Sequence, residues 1–254
     1  MEEDGTGMEP IETRWLEENP GTADILIEGL PGIGHVGKLV AEHMIQELQA
    51  KKVAELYSIH FPPQVIIESD GVARLARNEV YLSGGVKRIA FLVGDYQSAS
   101  PDGHYLLSEA YLDIAERLGV REIYTLGGYG VGHLVSGPRV LSAVNREDLR
   151  ARVEAAGGEF NRDEPPGGIL GASGLLLALS LRRGMDGVCL MGETSGYLVD
   201  PRAASSLLAV LSSLLGVEVD KSQLETRAAE MEQVIAKLAE SERAGDEEAL
   251  RYIG

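Results

Sequence analysis

Short apolar runs alternate along this chain with stretches of helical spacing. Ala23-Asp24-Ile25-Leu26-Ile27-Glu28 is an apolar run closed by Gly29-Leu30-Pro31-Gly32, which predicts a buried strand ending in a glycine-rich turn. From His35 to about Gln49 the apolar residues Val36, Leu39, Val40, Met44, Ile45 and Leu48 recur at spacings of three and four, so a helix with one apolar face follows. Val53 to Ile59 is again strand-like. Between 61 and 86 the pattern shortens to β-rich pieces, Val65–Ile67, Gly71–Leu75 and Glu79–Leu82, divided by Pro-Pro, Asp-Gly and Gly-Gly. These predict antiparallel hairpins forming an edge or a small extension.

Arg88–Gly94 predicts a short buried strand. A helix follows from about Tyr105 to Leu118, with Ser100-Pro101-Asp102 leading in and Gly119 as its C-cap. Further strands are expected at Glu122–Leu126, Arg139–Val144 and Asp186–Met191. Asn145 is read as the cap of a helix from Glu147 to about Ala155, and Ser173 as the cap of the helix Gly174–Arg182. Asp200-Pro201 opens a helix to Leu215, closed by Gly216. In the last segment Leu224, Ala228, Met231, Ile235 and Leu238 step by four and three, an apolar seam on an amphipathic helix that either folds back on its own domain or joins another subunit.

Strand–helix alternation predicts an α/β fold: three layers, a mostly parallel sheet flanked by helices, with an antiparallel hairpin extension and the C-terminal amphipathic helix. The expected division is a flexible lead-in over 1–20, a core domain over 21–218, the amphipathic helix over 219–244 and a flexible tail over 245–254.

Composition narrows the function classes. The chain has 254 residues, 40 acidic against 23 basic, and a net charge of −17. So acidic a chain, without a dense run of Lys and Arg, argues against nucleic-acid and anionic-membrane partners, since binding phosphate requires gathered cations. No apolar stretch approaches the ~20 residues of a membrane span, and the acidic start Met1-Glu2-Glu3-Asp4 is unlike a secretory signal, so a cytoplasmic protein is expected. Cys189 is the single cysteine, which excludes an intrachain disulfide and a multi-cysteine metal site. Its setting, Val188-Cys189-Leu190-Met191, fits a small buried apolar residue better than a catalytic thiol.

Gly32-Ile33-Gly34-His35-Val36-Gly37 is a literal G-x-G-x-x-G between a strand and a helix. It can be a tight packing turn, an anion site at a helix N-terminus, or a dinucleotide fingerprint. The rigid Pro31 and the missing acid at the end of the second strand weigh against the last. Two further clusters follow buried strands, Gly127-Gly128-Tyr129-Gly130-Val131-Gly132-His133 and Gly192-Glu193-Thr194-Ser195-Gly196-Tyr197. In a parallel sheet such turns gather at the carboxyl edge, where Asp95 would join them. The candidate anion or ligand cleft is thus Gly32, Gly34, His35, Gly37, Asp95, Gly128, Glu193, Thr194 and Ser195. No metal-ligand spacing, nucleophile elbow or Walker sequence is present, so no metal, cofactor or catalytic set is assigned. An enzyme (ligase, hydrolase or transferase) using that cleft remains the alternative.

Six motifs in order resemble the archaeal branch of the proteasome assembly chaperone family: Leu30–Gly37, Phe61-Pro62-Pro63, Gly94–Gln97, Leu126–Tyr129, Gly168–Leu176 and Gly192–Gly196. The resemblance runs from about residue 23 to 240. It implies a fold similar to purine nucleoside phosphorylases without their activity. It also implies ATP-independent assembly or binding of the proteasome core particle by a homo-oligomer. In some members a terminal hydrophobic–Tyr–any-residue motif docks between α-subunits of the core particle. Here the tail Leu250-Arg251-Tyr252-Ile253-Gly254 departs from that motif, with Tyr252 third from the end and Arg251 in place of the hydrophobic residue. The resemblance thus makes Leu250, Tyr252, Ile253 and Gly254 the candidate partner-binding tail, while the helical spacing makes Leu224, Ala228, Met231, Ile235 and Leu238 the candidate oligomer seam.

Overall fold

The computed structural model describes residues 9–85, 87–161 and 167–230. Along the chain lie β1 (Ile11–Trp15), β2 (Ile25–Glu28), α1 (Val36–Glu47), β3 (Lys51–Ser58), β4 (Val65–Ile67), β5 (Ala73–Leu75), β6 (Asn78–Leu82) and β7 (Ile89–Gly94). There follow α2 (Pro101–Leu118), β8 (Glu122–Gly130), β9 (Val140–Val144), α3 (Arg150–Ala155), α4 (Ala172–Arg182), β10 (Asp186–Thr194) and α5 (Pro201–Leu215).

Eight strands form one sheet in the order β1-β3-β6-β7-β2-β8-β10-β9, and β4 and β5 pair as a separate hairpin. The sheet is flanked by helices on both faces. Strand β2 is buried throughout and β8 is buried from Ile123 to Leu126, and helices cover both sides of them as parallel strands require. Ile25 and Ile27 face α1, α3 and α5, together with Val40, Met44, Val153 and Leu208. Leu26 faces the other way, onto Leu107, Tyr111 and Leu112 of α2 and Leu176 of α4. Cys189 is buried on β10, and burial pushes its thiol up to about 12, so it packs as a small apolar side chain.

The sheet is less parallel than its pattern predicts. Only β7–β2, β2–β8 and β8–β10 pair parallel. The pairs β1–β3, β3–β6, β6–β7 and β10–β9 are antiparallel. Connection length explains the β6–β7 pair. A parallel neighbour needs a crossover of about a dozen residues or more, and β6 reaches β7 through residues 83–88 alone. The predicted hairpin region therefore divides. Its last piece, β6, enters the sheet interior, while β4 and β5 form the extension.

Three local expectations need correction. The lead-in contains a strand, β1, paired with β3 from Ile11↔Ser58 to Trp15↔Ala54. Its alternation of half-buried and exposed residues is too short to stand out in a polar segment. Asn145 does not cap α3. Its side chain accepts from the Gly187 N–H at 2.9 Å and donates to the Met185 carbonyl at 3.0 Å, tying β9 to the start of β10. Nor is Ser173 a cap, since α4 begins at Ala172 and the serine lies inside it. The other caps follow the pattern. Asp200 accepts from the N–H groups of Arg202 and Ala203, and Gly119 and Gly216 end their helices in the left-handed conformation, while α2 starts at Pro101 rather than about Tyr105, with Ser100 accepting from Gly103 as its cap. Strands β8 and β10 run past their predicted ends, to Gly130 and Thr194.

A helix over 222–230 begins the predicted amphipathic segment. Leu224 is buried in the core beside α1 and α5, so the seam starts by folding back on its own domain, and Ala228 is half-buried. Met231, Ile235 and Leu238 lie outside the described residues, as do Leu250, Tyr252, Ile253 and Gly254.

Candidate functional site at the carboxyl edge

Strands β2, β7, β8 and β10 run the same way, so their carboxyl ends present four turns at one edge of the sheet. Hydrogen bonds knit those turns together. The Gln97 side chain donates to the Pro31 carbonyl at 2.8 Å and accepts from the Ala172 N–H at 2.9 Å, so one amide holds the β2 turn to the start of α4. The Asp200 N–H donates to the Gly34 carbonyl at 2.9 Å, and Val131 N–H to Thr194 at 2.9 Å. Lys38 Nζ donates to the Gly94 carbonyl at 2.9 Å.

The G-x-G-x-x-G motif is a packing turn. Gly34 has φ +63°, and a Cβ there would stand 2.9 Å from Thr194 Oγ1. At Gly37 a Cβ would stand 2.2 Å from the Leu126 carbonyl oxygen, so helix α1 crosses β8 at backbone contact. Gly128 is pressed against the Ile33 carbonyl oxygen in the same way, at 2.1 Å for a Cβ. Protein atoms occupy the space beside Gly34 and Gly37 that close phosphate approach would use. His35 is exposed, in the left-handed conformation at φ 51°, and makes no capping hydrogen bond.

The charged candidates are engaged elsewhere. Asp95 meets Arg74 through two contacts, Nη1–Oδ2 at 2.5 Å and Nη2–Oδ1 at 3.0 Å, and accepts the Arg77 N–H at 2.9 Å. Burial pushes its carboxyl up, but the Arg74 bond, the Arg77 N–H and the nearby charges of Arg74 and Lys38 together outweigh it and hold the group below its ordinary value. That pair pins the β4–β5 hairpin to the sheet. Glu193 takes Arg139 Nε at 3.1 Å and Nη2 at 2.5 Å, and the hydrogen bond to Arg139 lowers its carboxyl. The Thr194 hydroxyl donates to Asp200 Oδ2 at 2.9 Å, and Ser195 Oγ accepts the Tyr197 N–H at 3.4 Å.

A cavity of about 640 Å³ does open at this edge, with Gly32 and Gly128 in its wall. The rest of the wall is largely apolar, from residues such as Leu30, Ile33, Leu126, Ile169 and Met191, with Gln97, Ser98, His104, Tyr129 and Ser173 contributing polar groups. Gly34, His35, Gly37, Asp95, Glu193, Thr194 and Ser195 do not line it. Among the described residues, no group of three or more His, Cys, Asp or Glu is placed to hold a metal ion. No helix among them is long and apolar enough to cross a membrane.

Sequence reasoning missed the group beneath this cavity. Glu28 is fully buried at the end of β2. Its Oε1 accepts the Leu30 N–H at 3.0 Å and its Oε2 accepts the Ser173 hydroxyl at 2.8 Å. Burial pushes its carboxyl up to about 7. The available signal was a carboxylate ending an otherwise wholly apolar strand.

Residues 26–239 match the model of the PAC2 family. An uncharacterised protein of Methanocaldococcus jannaschii, MJ1210, is 41% identical over 239 residues, covering 91% of this chain and 92% of that protein. Among solved structures, Pyrococcus furiosus PbaB, an archaeal proteasome activator, matches with a TM-score of 0.85 at 41% identity, covering 91% of this chain and 100% of that one. Pyrococcus furiosus PbaA, an archaeal homolog of proteasome-assembly chaperone, matches with a TM-score of 0.77 at 25% identity over 96% of this chain and 97% of that one.

Proposed function

The chain belongs to the PAC2 family, and from that premise we propose that it binds the proteasome core particle as an ATP-independent assembly chaperone or activator. The observation that carries this reading is the match to PbaB, an archaeal proteasome activator, across nearly the whole chain at 41% identity. In this reading the protein acts in the cytoplasm as a homo-oligomer on a phosphorylase-like scaffold. The segment Leu250–Gly254 supplies a peptide that docks on the α-subunits. Its acidic approach, Asp246-Glu247-Glu248, favours a basic docking surface and makes association salt-sensitive.

Use of the cleft residues supports binding over catalysis. Asp95 and Glu193 are neutralised by Arg74 and Arg139, and the glycines of the fingerprint are consumed by contacts between backbone segments. A base or an anion cradle at those positions would need groups free to meet a ligand.

Native gels or pull-downs with archaeal core particles test the proposal, comparing the full chain with a chain ending at Ala249. Binding by the full chain and loss by the shorter one is the expected result. Equal binding by both would refute the tail as the docking element, and binding by neither would refute the core particle as the partner.

A further inference from the structure

Strand β1 is the outermost strand of the sheet, next to β3. Its hydrogen-bonding parity is settled by its two flanks. Leu16 N–H donates to the Val53 carbonyl at 2.9 Å, and Ile59 N–H donates to the Pro10 carbonyl at 3.2 Å. In an antiparallel ladder alternate residues bond the neighbour, so Glu12 and Arg14 also face β3 with their backbone groups. The N–H and C=O groups of Ile11, Thr13 and Trp15 therefore turn outward, where no strand among the described residues pairs with them. Such an edge is a template for another strand.

We propose that β1 joins a second copy of this chain, the two edge strands pairing antiparallel about a two-fold axis at Thr13. Parity requires outward-bonding residues to pair with one another, and charge selects among the registers that do so. Centred on Thr13, the pairs are Ile11 with Trp15 of the second copy and Thr13 with its own equivalent. All of these are outward-bonding residues, so the ladder closes. Centring on Glu12 or Arg14 would also close the ladder, but it would set that residue against its own equivalent, a like-charge pair. Centring on Trp15 would place Glu12 against Glu18. Centred on Thr13, each Glu12 instead stands opposite Arg14 of the second copy. These are non-hydrogen-bonded pairs, where side chains of adjacent strands come closest.

Both faces of the edge suit this pairing. On one, Ile11, Thr13 and Trp15 line an open groove of about 480 Å³ against Leu106 and Ile114 of α2, and Arg117 lies 4.0 Å over the Trp15 ring. A second copy would bring its Trp15 beside Ile11 and continue that apolar floor. On the other face, Glu12 and Arg14 share a shallow cavity with Tyr57 and Leu75. Leu75 is exposed there, as are Val65 and Ile67 on the same hairpin. An unrelated strand would match the backbone of β1 but not its alternating charges.

Charge exchange tests this on the intact chain. Glu12→Arg or Arg14→Glu alone sets two like-charge pairs across the axis. The double variant restores both pairs, and a mixture of the two single variants forms a complementary hetero-pair. Association is read by sedimentation and native mass spectrometry, and folding by circular dichroism. The wild type and the double variant should associate alike. Each single variant should dissociate roughly tenfold more readily, and mixing the two should recover association as the hetero-pair. Amide exchange at residues 11, 13 and 15 should slow on association. Single variants that remain folded and associate like the wild type would overturn the proposal. So would a mixture that recovers nothing, or β1 amides protected only when another protein binds. The inference rests on the homo-oligomer of the proposed function, and because core-particle binding is not read in this experiment, the two readings can fail separately.

Discussion

Replacing Glu28 with glutamine removes a charge from the interior while keeping the shape of the site. In the wild type Oε1 accepts the Leu30 N–H and Oε2 accepts the Ser173 hydroxyl. Glutamine keeps the first bond through its carbonyl oxygen and offers its amide nitrogen to the Ser173 oxygen, which can accept. What changes is titration. Burial raises this carboxyl from 4.5 to about 7 in the folded protein. Between those values the native state holds a proton that the unfolded chain has released. Stability from this group is therefore complete below about pH 4.5 and is lost as pH rises through about 7. The shift corresponds to about 3 kcal/mol. For a chain of this size that amounts to a melting difference of up to about 10 °C. The assay is thermal unfolding of both proteins from about pH 4.5 to about pH 8, read as the difference between them. Glu28→Gln should gain on the wild type steadily across that range, by up to about 3 kcal/mol at the alkaline end. Any pH-independent cost of the substitution cancels from the slope. A difference that stays constant with pH would refute the argument that burial penalises the Glu28 carboxylate.

Gly37→Ala should destabilise by roughly 1–3 kcal/mol, because its Cβ would stand 2.2 Å from the Leu126 carbonyl oxygen and push α1 off β8. A urea midpoint equal to that of the wild type would contradict the close approach. Arg74→Ala should release the β4–β5 hairpin with only about 1 kcal/mol of global cost, since the partly exposed pair to Asp95 mainly anchors an extension. Hydrogen exchange should quicken over residues 65–75 while the melting temperature moves little, and unchanged exchange there would refute the anchor.

Much of the element order was legible because its signals are local. Caps act within one turn, so Gly119, Asp200 and Gly216 marked helix ends that the structure shares. Apolar runs of four to six residues located β2 and β7. The readings that failed depended on partners far along the chain. Ser173 has the residue type of a cap, yet its hydroxyl serves Glu28, 145 positions away. Asn145 likewise serves Gly187, and its role as a strap exists only once β9 lies beside β10. The turns carrying the cleft candidates lie at one edge, since parallel strands end together, but the partners of those residues were not legible. Asp95 and Glu193 looked free until folding brought Arg74 and Arg139 to them.

By itself the sequence determined the alternation of strands and helices, the aliphatic core and the family, because periodicity, composition and ordered motifs are properties of the chain. Tertiary structure decided the sheet order, the burial of Glu28, the filling of the glycine turns and the free parity of β1. Each of these depends on which distant segments approach within a few ångströms, and neither spacing nor composition encodes that distance.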